Sequence, residues 1–271
     1  MQTTTDNNIM KVSKSHSLST ATATTVALAV ALGFTLAACG GKSPAPTPPT
    51  PPPAPNPEVL IAEALADAAI AEPSEEVDDL LALVEENQAL SWRTDENGAA
   101  WVQVVTWTSW DGYREQVGQT VPLGREIWVT AAPEVQDFCR ESELSGEALD
   151  DRLEQLLGLR PDTAKPYFAV MWAQPSELVR PCADPDVTTT TCAATDTPAD
   201  VTIGTHAHKE WFEELMSTSY DPQEGYPWTR LGYTYDWNPE TSERGTSEYL
   251  IPAETMVRMD SFVTTAEYCG K

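Results

Sequence analysis

The chain has 271 residues, with 16 basic and 42 acidic side chains, and therefore a net charge of −26 at pH 7. A charge of this sign and size repels nucleic acid and anionic lipid headgroups, so it excludes a nucleic-acid-binding function. It favours solubility, and partners selected by charge would be cationic or neutral.

The N-terminal segment has the three parts of a bacterial export signal. Lys11 and Lys14 give it a basic flank, and residues 26–37 form an apolar or small-residue run that is too short to span a bilayer comfortably. Small residues then precede Cys39. This order is typical of a secretory signal peptide, which we place at residues 1–38.

The sequence Leu36-Ala37-Ala38-Cys39 closely resembles the lipobox of bacterial lipoproteins. The resemblance implies cleavage before Cys39, a diacylglycerol thioether on its sulfur and an acyl chain, such as palmitate, on the new N-terminus. Several acyl chains anchor a protein stably, whereas one does not. By the same resemblance, Gly40 implies transport to the outer membrane. The alternative is an ordinary signal peptide followed by an incidental cysteine.

Residues 39–57 are predicted to be a spacer between the lipid and the folded part. From Ser43 to Pro57, nine of fifteen residues are proline, and proline supports neither a helix nor a β-ladder. A polyproline II segment of this length reaches about 45 Å at ~3.1 Å per residue. A disordered linker and a ligand for a proline-reading domain are the alternatives, but a spacer needs no partner.

Residues 58–90 are predicted to form two helices. Apolar side chains from Leu60 to Ala69 fall on one face, and those at Val77, Leu80, Leu81 and Val84 repeat with helical spacing after Pro73. Acidic residues occupy the other face. The helices could pack against the domain that follows or stand apart as a stalk.

Residues 91–271 have the length of one ordinary domain, and they mix predicted strands and helices without βαβ regularity. The expected fold class is therefore α+β, a single mixed domain with antiparallel strands and a few helices. Strands are predicted over 100–110, 126–131, 167–173 and 255–263, helices over 146–157 and 208–216, and a hairpin with a long loop over 228–251.

The most distinctive string is "GYPWTRLGYTYDW", residues 225–237. Its aromatics could form a surface for a sugar or a peptide. They could instead fill the core of a hairpin, and this second interpretation is preferred because aromatics are common in strands. The possible ligand-binding residues are Trp228, Arg230, Asp236 and Trp237.

Successive side chains of a strand point to opposite faces, and this alternation gives a more specific prediction. Tyr233, Tyr235 and Trp237 share one face of a regular strand, and Thr234 and Asp236 share the other. We expect the aromatic face to be buried and Asp236 to be mostly exposed.

Together with "RPCADPD", residues 180–186, the aromatic string resembles a group of uncharacterised bacterial exported proteins. This resemblance implies no particular activity.

Apart from Cys39 the chain has four cysteines, and in an exported chain they indicate two disulfides with three possible pairings. Cys182 and Cys192 flank a short polar loop, so we pair them with each other and pair Cys139 with Cys269. The short loop would contribute about 3 kcal/mol and the long one about 5 kcal/mol in the chain-entropy model. No C-x-x-C motif suggests redox catalysis.

His206 and His208 are weak candidates for a metal site. If they lay on a strand, both would face the same side, which suits zinc or copper. No third ligand follows at motif spacing, so neither a metal nor a cofactor is predicted.

No catalytic motif is recognisable in the sequence. The expected function is therefore a lipid-anchored cell-envelope protein, non-enzymatic, that binds a ligand or acts in envelope assembly. Its partners would be the membrane lipid through acylated Cys39 and an envelope protein or glycan. The alternative is an enzyme acting on envelope glycan or protein, with its site among Glu248, Asp236, His206 and His208. A cleft where two of these four side chains converge would favour the enzyme.

Overall fold

The computed structural model describes residues 55–271, so Cys39, the leader and most of the proline-rich segment lie outside the described residues. Within the described part, no helix is both long enough and apolar enough to cross a membrane. The helices there are α1 Pro57–Ala68, α2 Ala132–Glu141, α3 Glu147–Leu156, α4 His208–Thr218 and α5 Thr265–Cys269. The strands there are β1 Trp92–Thr94, β2 Ala100–Thr108, β3 Thr120–Pro122, β4 Ile127–Ala131, β5 Tyr167–Ala173, β6 Thr202–Ile203, β7 His206–Ala207, β8 Tyr233–Tyr235, β9 Arg244–Ile251 and β10 Met256–Thr264.

Eight of these strands form one antiparallel sheet. Seven follow the order β3-β10-β5-β2-β4-β9-β8, and β1 pairs with β2 beside this path. The predicted α+β class is confirmed, and so are the strands predicted over 100–110, 126–131, 167–173 and 255–263. Each is rich in β-branched or aromatic side chains that fit a pleated surface.

Both faces of the sheet are covered. Successive side chains of a strand point to opposite faces, yet the neighbours Val104 and Val105 are both at most 1% exposed. Val104 belongs to a core cluster with Leu83 and Tyr113, and Val105 to a second cluster with side chains of α2, α3 and α5. We call this second side the helical face.

Helix α1 confirms the first predicted helix, and it packs against the sheet domain. Asn56 caps it by accepting a hydrogen bond from the Glu58 N–H. Its buried residues contact Tyr235 and Trp237 of the aromatic string. Of the two alternatives left open by the sequence, the structure therefore has α1 packed on the domain.

The second predicted helix, over Val77–Val84, is wrong because this segment forms neither a helix nor a strand. The N–H of Leu80 donates to the Thr190 carbonyl at 3.0 Å, and that of Leu83 donates to the Val187 carbonyl at 2.8 Å. These two leucines are buried in different clusters, which one helical stripe could not achieve. Partners distant in the sequence thus replace the local hydrogen bonds of a helix.

Two disulfides connect the cysteines as predicted. Cys139 of α2 bonds to Cys269 of α5, and Cys182 bonds to Cys192. Arg180 holds the second loop from inside, since its fully buried guanidinium donates to the carbonyls of Val187 and Thr189. The long bridge ties the C-terminal helix to the helical face.

Candidate functional site

A pocket of about 300 Å³ lies on the helical face of the sheet. It is bounded by the sheet, by the C-terminal end of α3, by α4 and by the loop that leads to β8. Most of its lining side chains are apolar or aromatic. They are Val105, Thr106, Trp107, Trp128, Val129, Thr130, Val135, Leu157, Gly158, Leu159, Phe168, Leu215, Ser219, Tyr226, Pro227, Trp228, Thr234, Tyr235 and Glu248.

The floor of the pocket is a row of three side chains from adjacent strands. Val105 of β2 pairs with Thr130 of β4, and Thr130 pairs with Glu248 of β9. Directly paired residues of antiparallel strands point to the same face, so the Glu248 side chain emerges from the sheet beside a threonine and a valine. The register of these strands therefore places one acid in an apolar floor.

Glu248 lacks the partners that a buried acid normally has. The residue is 6% exposed, and its Oε1 has no hydrogen-bond partner among the described residues. Burial raises the pKa of Glu248 to about 8, and the positive charge of Arg180 opposes this rise. At neutral pH the carboxyl group is therefore mostly protonated when the pocket is empty.

The aromatic wall is held firmly by its surroundings. The indole Nε1 of Trp228 donates to the Pro181 carbonyl at 2.9 Å, and the Tyr220 hydroxyl donates to the Trp228 carbonyl at 2.9 Å. Trp211 and Phe212 contact the Trp228 ring edge to face, with centroids 5.7 and 5.0 Å away. These contacts fix the Trp228 indole, so this wall is preformed.

Two glycines allow the backbone approaches that form the rim. Gly158, at the end of α3, has φ +63°, and a Cβ there would lie 3.2 Å from the Tyr235 carbonyl oxygen. A Cβ at Gly225 would lie 2.2 Å from the Ser219 carbonyl oxygen. Gly225 is followed by Tyr226, which lines the pocket and is 47% exposed, so the pocket reaches solvent beside that ring.

Of the four residues proposed as ligand-binding, Trp228 lines the pocket and the other three do not. Arg230 is 3% exposed, donates to the Ala69 carbonyl at 2.9 Å and forms an ion pair with Asp196. Trp237 donates to the Leu159 carbonyl at 2.8 Å and packs against α1. Arg230 and Trp237 thus connect α1 and neighbouring loops to the aromatic string.

The prediction that Asp236 is exposed is wrong. Asp236 is 3% exposed and accepts two hydrogen bonds from the Arg152 guanidinium of α3, at 3.0 and 2.6 Å. The alternation argument assumed solvent on one side of the strand, but α3 covers that side. This bidentate ion pair anchors α3 to the end of β8, and it occupies the Asp236 carboxylate, which is therefore not available to bind a ligand.

The aromatic face of the same strand is buried, as predicted. Tyr233, Tyr235 and Trp237 are each at most 7% exposed. They belong to two separate clusters, Tyr233 to one and Tyr235 with Trp237 to the other, and the β8–β9 pairing shifts its register between Tyr233 and Tyr235. The predicted hairpin is confirmed as β8 and β9, joined by the loop over residues 236–243.

His206 and His208 do not lie on one strand. His206 belongs to β7, whereas His208 begins α4, and their Nε2 and Nδ1 atoms are 3.2 Å apart. His208 Nε2 lies 2.9 Å from the Cys182 carbonyl, which accepts but cannot donate. This contact assigns the proton of His208 to Nε2, so its Nδ1 accepts a hydrogen bond from His206 Nε2–H.

Burial and, to a smaller extent, the neighbouring His208 together lower the pKa of His206 to about 4, and burial lowers the pKa of His208 as well. Both rings are therefore neutral at pH 7. Among the described residues, the pair does not belong to any group of three metal-ligating side chains, and it does not line the pocket. The two rings connect α4 to the short disulfide loop.

Four residues were predicted for an enzyme site, namely Glu248, Asp236, His206 and His208, and of these Glu248 lines the pocket. The surroundings of Glu248 could not be predicted from the sequence, because its aromatic and threonine neighbours come from distant segments. The signal that was present is an acid inside a strand whose following residues, Tyr249, Leu250 and Ile251, are apolar.

Comparison of the chain with protein-family models, with curated proteins and with solved structures finds no match.

Proposed function

We propose that this protein is a lipid-anchored cell-envelope protein that binds a small, largely apolar molecule in the pocket around Glu248. The observation that carries the proposal is the Glu248 carboxyl group, buried and without a hydrogen-bond partner for Oε1 within the described chain, in the floor of an aromatic pocket of about 300 Å³. A volume of this size suits a small ligand.

The energetic cost of Glu248 supports a binding role. A buried polar group without a partner costs ~1–3 kcal/mol, and the cost is greater for a group that carries charge. An apolar side chain would fill the same place in a purely structural core at no such cost. A ligand group that hydrogen-bonds to Oε1 would remove the cost in the bound state. Groups with strongly shifted pKa values also concentrate at functional sites.

The predicted anchor fits a binding role at a membrane. Cleavage at Cys39 would leave 14 basic and 41 acidic residues, a net charge of −27, so the domain itself would be repelled by anionic lipid headgroups. Acyl chains on Cys39 would hold it in the envelope, and the proline-rich segment would keep the pocket at a distance of up to about 45 Å from the lipid.

The pocket can be tested with an uncharged fluorescent probe, N-phenyl-1-naphthylamine. We expect saturable binding with one site per chain, and loss of this binding in Leu215→Trp, where the larger ring fills the pocket beside α4. Leu215 is partly exposed, so the substitution should leave the fold intact. Ser217→Trp, on the exposed side of α4, is the matched control and should bind like wild type. Equal binding by Leu215→Trp and Ser217→Trp would place the probe elsewhere and contradict the proposal.

The enzyme alternative has one observation in its favour, the raised pKa of Glu248, which suits a general acid. Glycoside hydrolysis generally needs a second carboxyl group, and Glu248 is the one carboxylic acid among the lining residues, all of which belong to the described chain. Binding is therefore the preferred function. Release of sugars or peptides from envelope material by the purified protein, with loss of this activity in Glu248→Gln, would support the enzyme instead.

A further inference from the structure

We infer that the ligand of this pocket carries a basic amine on an apolar or aromatic body, with the ammonium group hydrogen-bonded to the Glu248 carboxylate. This inference rests on the proposed function, because it names the chemistry of the molecule that the pocket binds. It goes further by excluding anionic ligands and by preferring cations to neutral molecules.

The charges of the pocket exclude an anionic ligand. The lining includes one ionisable acid, Glu248, and in this described set of residues there is no Lys, Arg or His. A carboxylate or phosphate would contact no cation in the lining, because Arg180, whose charge acts on Glu248, does not line the pocket. It would also lie beside a group that becomes negative when it ionises. Burying an unpaired charge in apolar surroundings is strongly unfavourable.

The aromatic walls favour a cation. Trp107, Trp128, Trp228 and Tyr226 line the same pocket as the acid. The faces of aromatic rings carry negative electrostatic potential, and an ammonium group within about 6 Å of a ring centroid is attracted to it. A carboxylate below and aromatic rings around it together form the kind of site that binds amines, whereas the same rings would bind an uncharged molecule through apolar contact alone.

Glu248 offers an unused acceptor in the lining, whereas the Thr234 hydroxyl is already engaged. Thr234 Oγ1 already donates to the Leu156 carbonyl at 2.6 Å and accepts from the Thr246 N–H at 2.9 Å. Glu248 Oε1 has no partner in the described chain, so it can accept a hydrogen bond from a ligand without breaking an existing one. An ammonium group offers up to three donors to this acceptor.

Transfer of one proton completes the binding step. The carboxyl group of Glu248 gives its proton to solvent, and the ligand keeps the proton on its nitrogen. The bound state then holds a carboxylate and an ammonium, one negative and one positive charge, in contact. The field of the acidic chain surface attracts cations toward the pocket and repels anions, which supports the same choice of ligand.

Three probes with one naphthalene body test the inference: 1-naphthylmethylamine, 1-naphthalenemethanol and 1-naphthoate. Calorimetry at pH 7.5 on the wild-type chain should give the tightest binding for the amine, by roughly tenfold or more over the alcohol, because a hydrogen bond to a charged group is stronger than a neutral one. The anion should bind most weakly.

Two matched variants locate the preference. Glu248→Gln keeps the size of the side chain but cannot become negative, so it should bind the amine and the alcohol about equally. Glu134→Gln also removes an acid with a raised pKa, but Glu134 does not line the pocket, and this variant should keep the wild-type preference.

The possible failures are distinguishable. If the alcohol binds the wild-type chain as tightly as the amine, the amine inference is overturned while the proposed binding function stands. The inference is also overturned if Glu248→Gln keeps the preference for the amine, or if the anion binds best. If none of the three probes nor N-phenyl-1-naphthylamine binds, the proposed function fails with it. The comparison within the wild-type chain decides the matter even if a variant does not fold.

Discussion

Replacement of Glu248 by glutamine should raise the stability of the protein relative to wild type as the pH increases. The pKa of Glu248 is raised from 4.5 to about 8, mainly by burial. The folded chain therefore holds a proton that the unfolded chain releases above pH 4.5. A raised pKa contributes stability that is full below the unfolded pKa and is lost as the pH rises to the folded pKa. For Glu248 this loss falls between about pH 4.5 and pH 8.

The size of the effect follows from the difference between the two pKa values. Each pKa unit corresponds to about 1.4 kcal/mol, so a shift from 4.5 to about 8 makes the wild-type chain lose on the order of 5 kcal/mol across this interval. Glutamine has nearly the same shape and does not titrate. The difference in unfolding free energy between Glu248→Gln and wild type should therefore move in favour of the variant by several kcal/mol from pH 4.5 to pH 9.

Other groups titrate in the same interval, and the comparison removes their contribution. Burial raises the pKa of Glu134 to about 7, and burial lowers that of His206 to about 4. Both proteins also contain the two residues that interact electrostatically with Glu248. The charge of Arg180 lowers the pKa of Glu248, and the charge of Glu248 raises the pKa of Tyr220. Subtracting the wild-type curve from the variant curve leaves the contribution of the Glu248 carboxyl group.

Urea unfolding of the mature chain, with its disulfides intact and without ligand, is the appropriate measurement at pH 4.5, 6, 7.5 and 9. A difference between the two proteins that does not change with pH would refute the reasoning, because it would mean that Glu248 titrates alike in the folded and unfolded chains. A difference that moves in favour of wild type at high pH would show that the ionised carboxylate is stabilised in the fold.

Three further predictions concern the anchor and the aromatic string. Cys39→Ser should abolish palmitate labelling and leave an uncleaved or soluble form, and a variant that still fractionates with membranes like wild type would contradict the lipoprotein assignment. Trp237→Ala should lower the unfolding free energy by ~3–5 kcal/mol, measured by urea unfolding, since a buried indole is removed. Asp236→Ala should lower it by roughly 3 kcal/mol because Arg152 loses its bidentate partner; an unchanged midpoint would mean that this ion pair is not formed in solution.

Strands were the most predictable elements of this fold. The segment Tyr167–Ala173 is predicted with the bounds that the structure has, because its apolar and aromatic side chains fit a strand buried on both faces. Helix α2, by contrast, was not predicted. Its signals were present: Pro133 in its first turn, and apolar Ala132, Val135 and Cys139 at helical spacing.

The two errors share one physical cause, which is that local patterns do not report distant partners. The spacing of apolar residues in Val77–Val84 fits a helix, but the Thr190 carbonyl of the disulfide loop takes the Leu80 N–H. Alternation placed Asp236 in solvent, but Arg152 lies 84 residues away along the chain and covers it. In both places the local pattern was interpreted correctly, but tertiary contacts determined the structure.

The pocket was the least predictable feature because its residues are distributed over the chain from Val105 to Glu248. Its floor depends on the register that pairs Val105 with Thr130 and Thr130 with Glu248, and a shift of one residue would turn the acid to the other face. That other face is a closed apolar core around Tyr249, where an unpaired carboxyl group would have neither a ligand nor solvent. The fold thus places this costly acid in the lining of a pocket. The raised pKa of Glu248 lowers the stability of the folded chain as the pH rises toward 8, a cost that a purely structural strand would avoid.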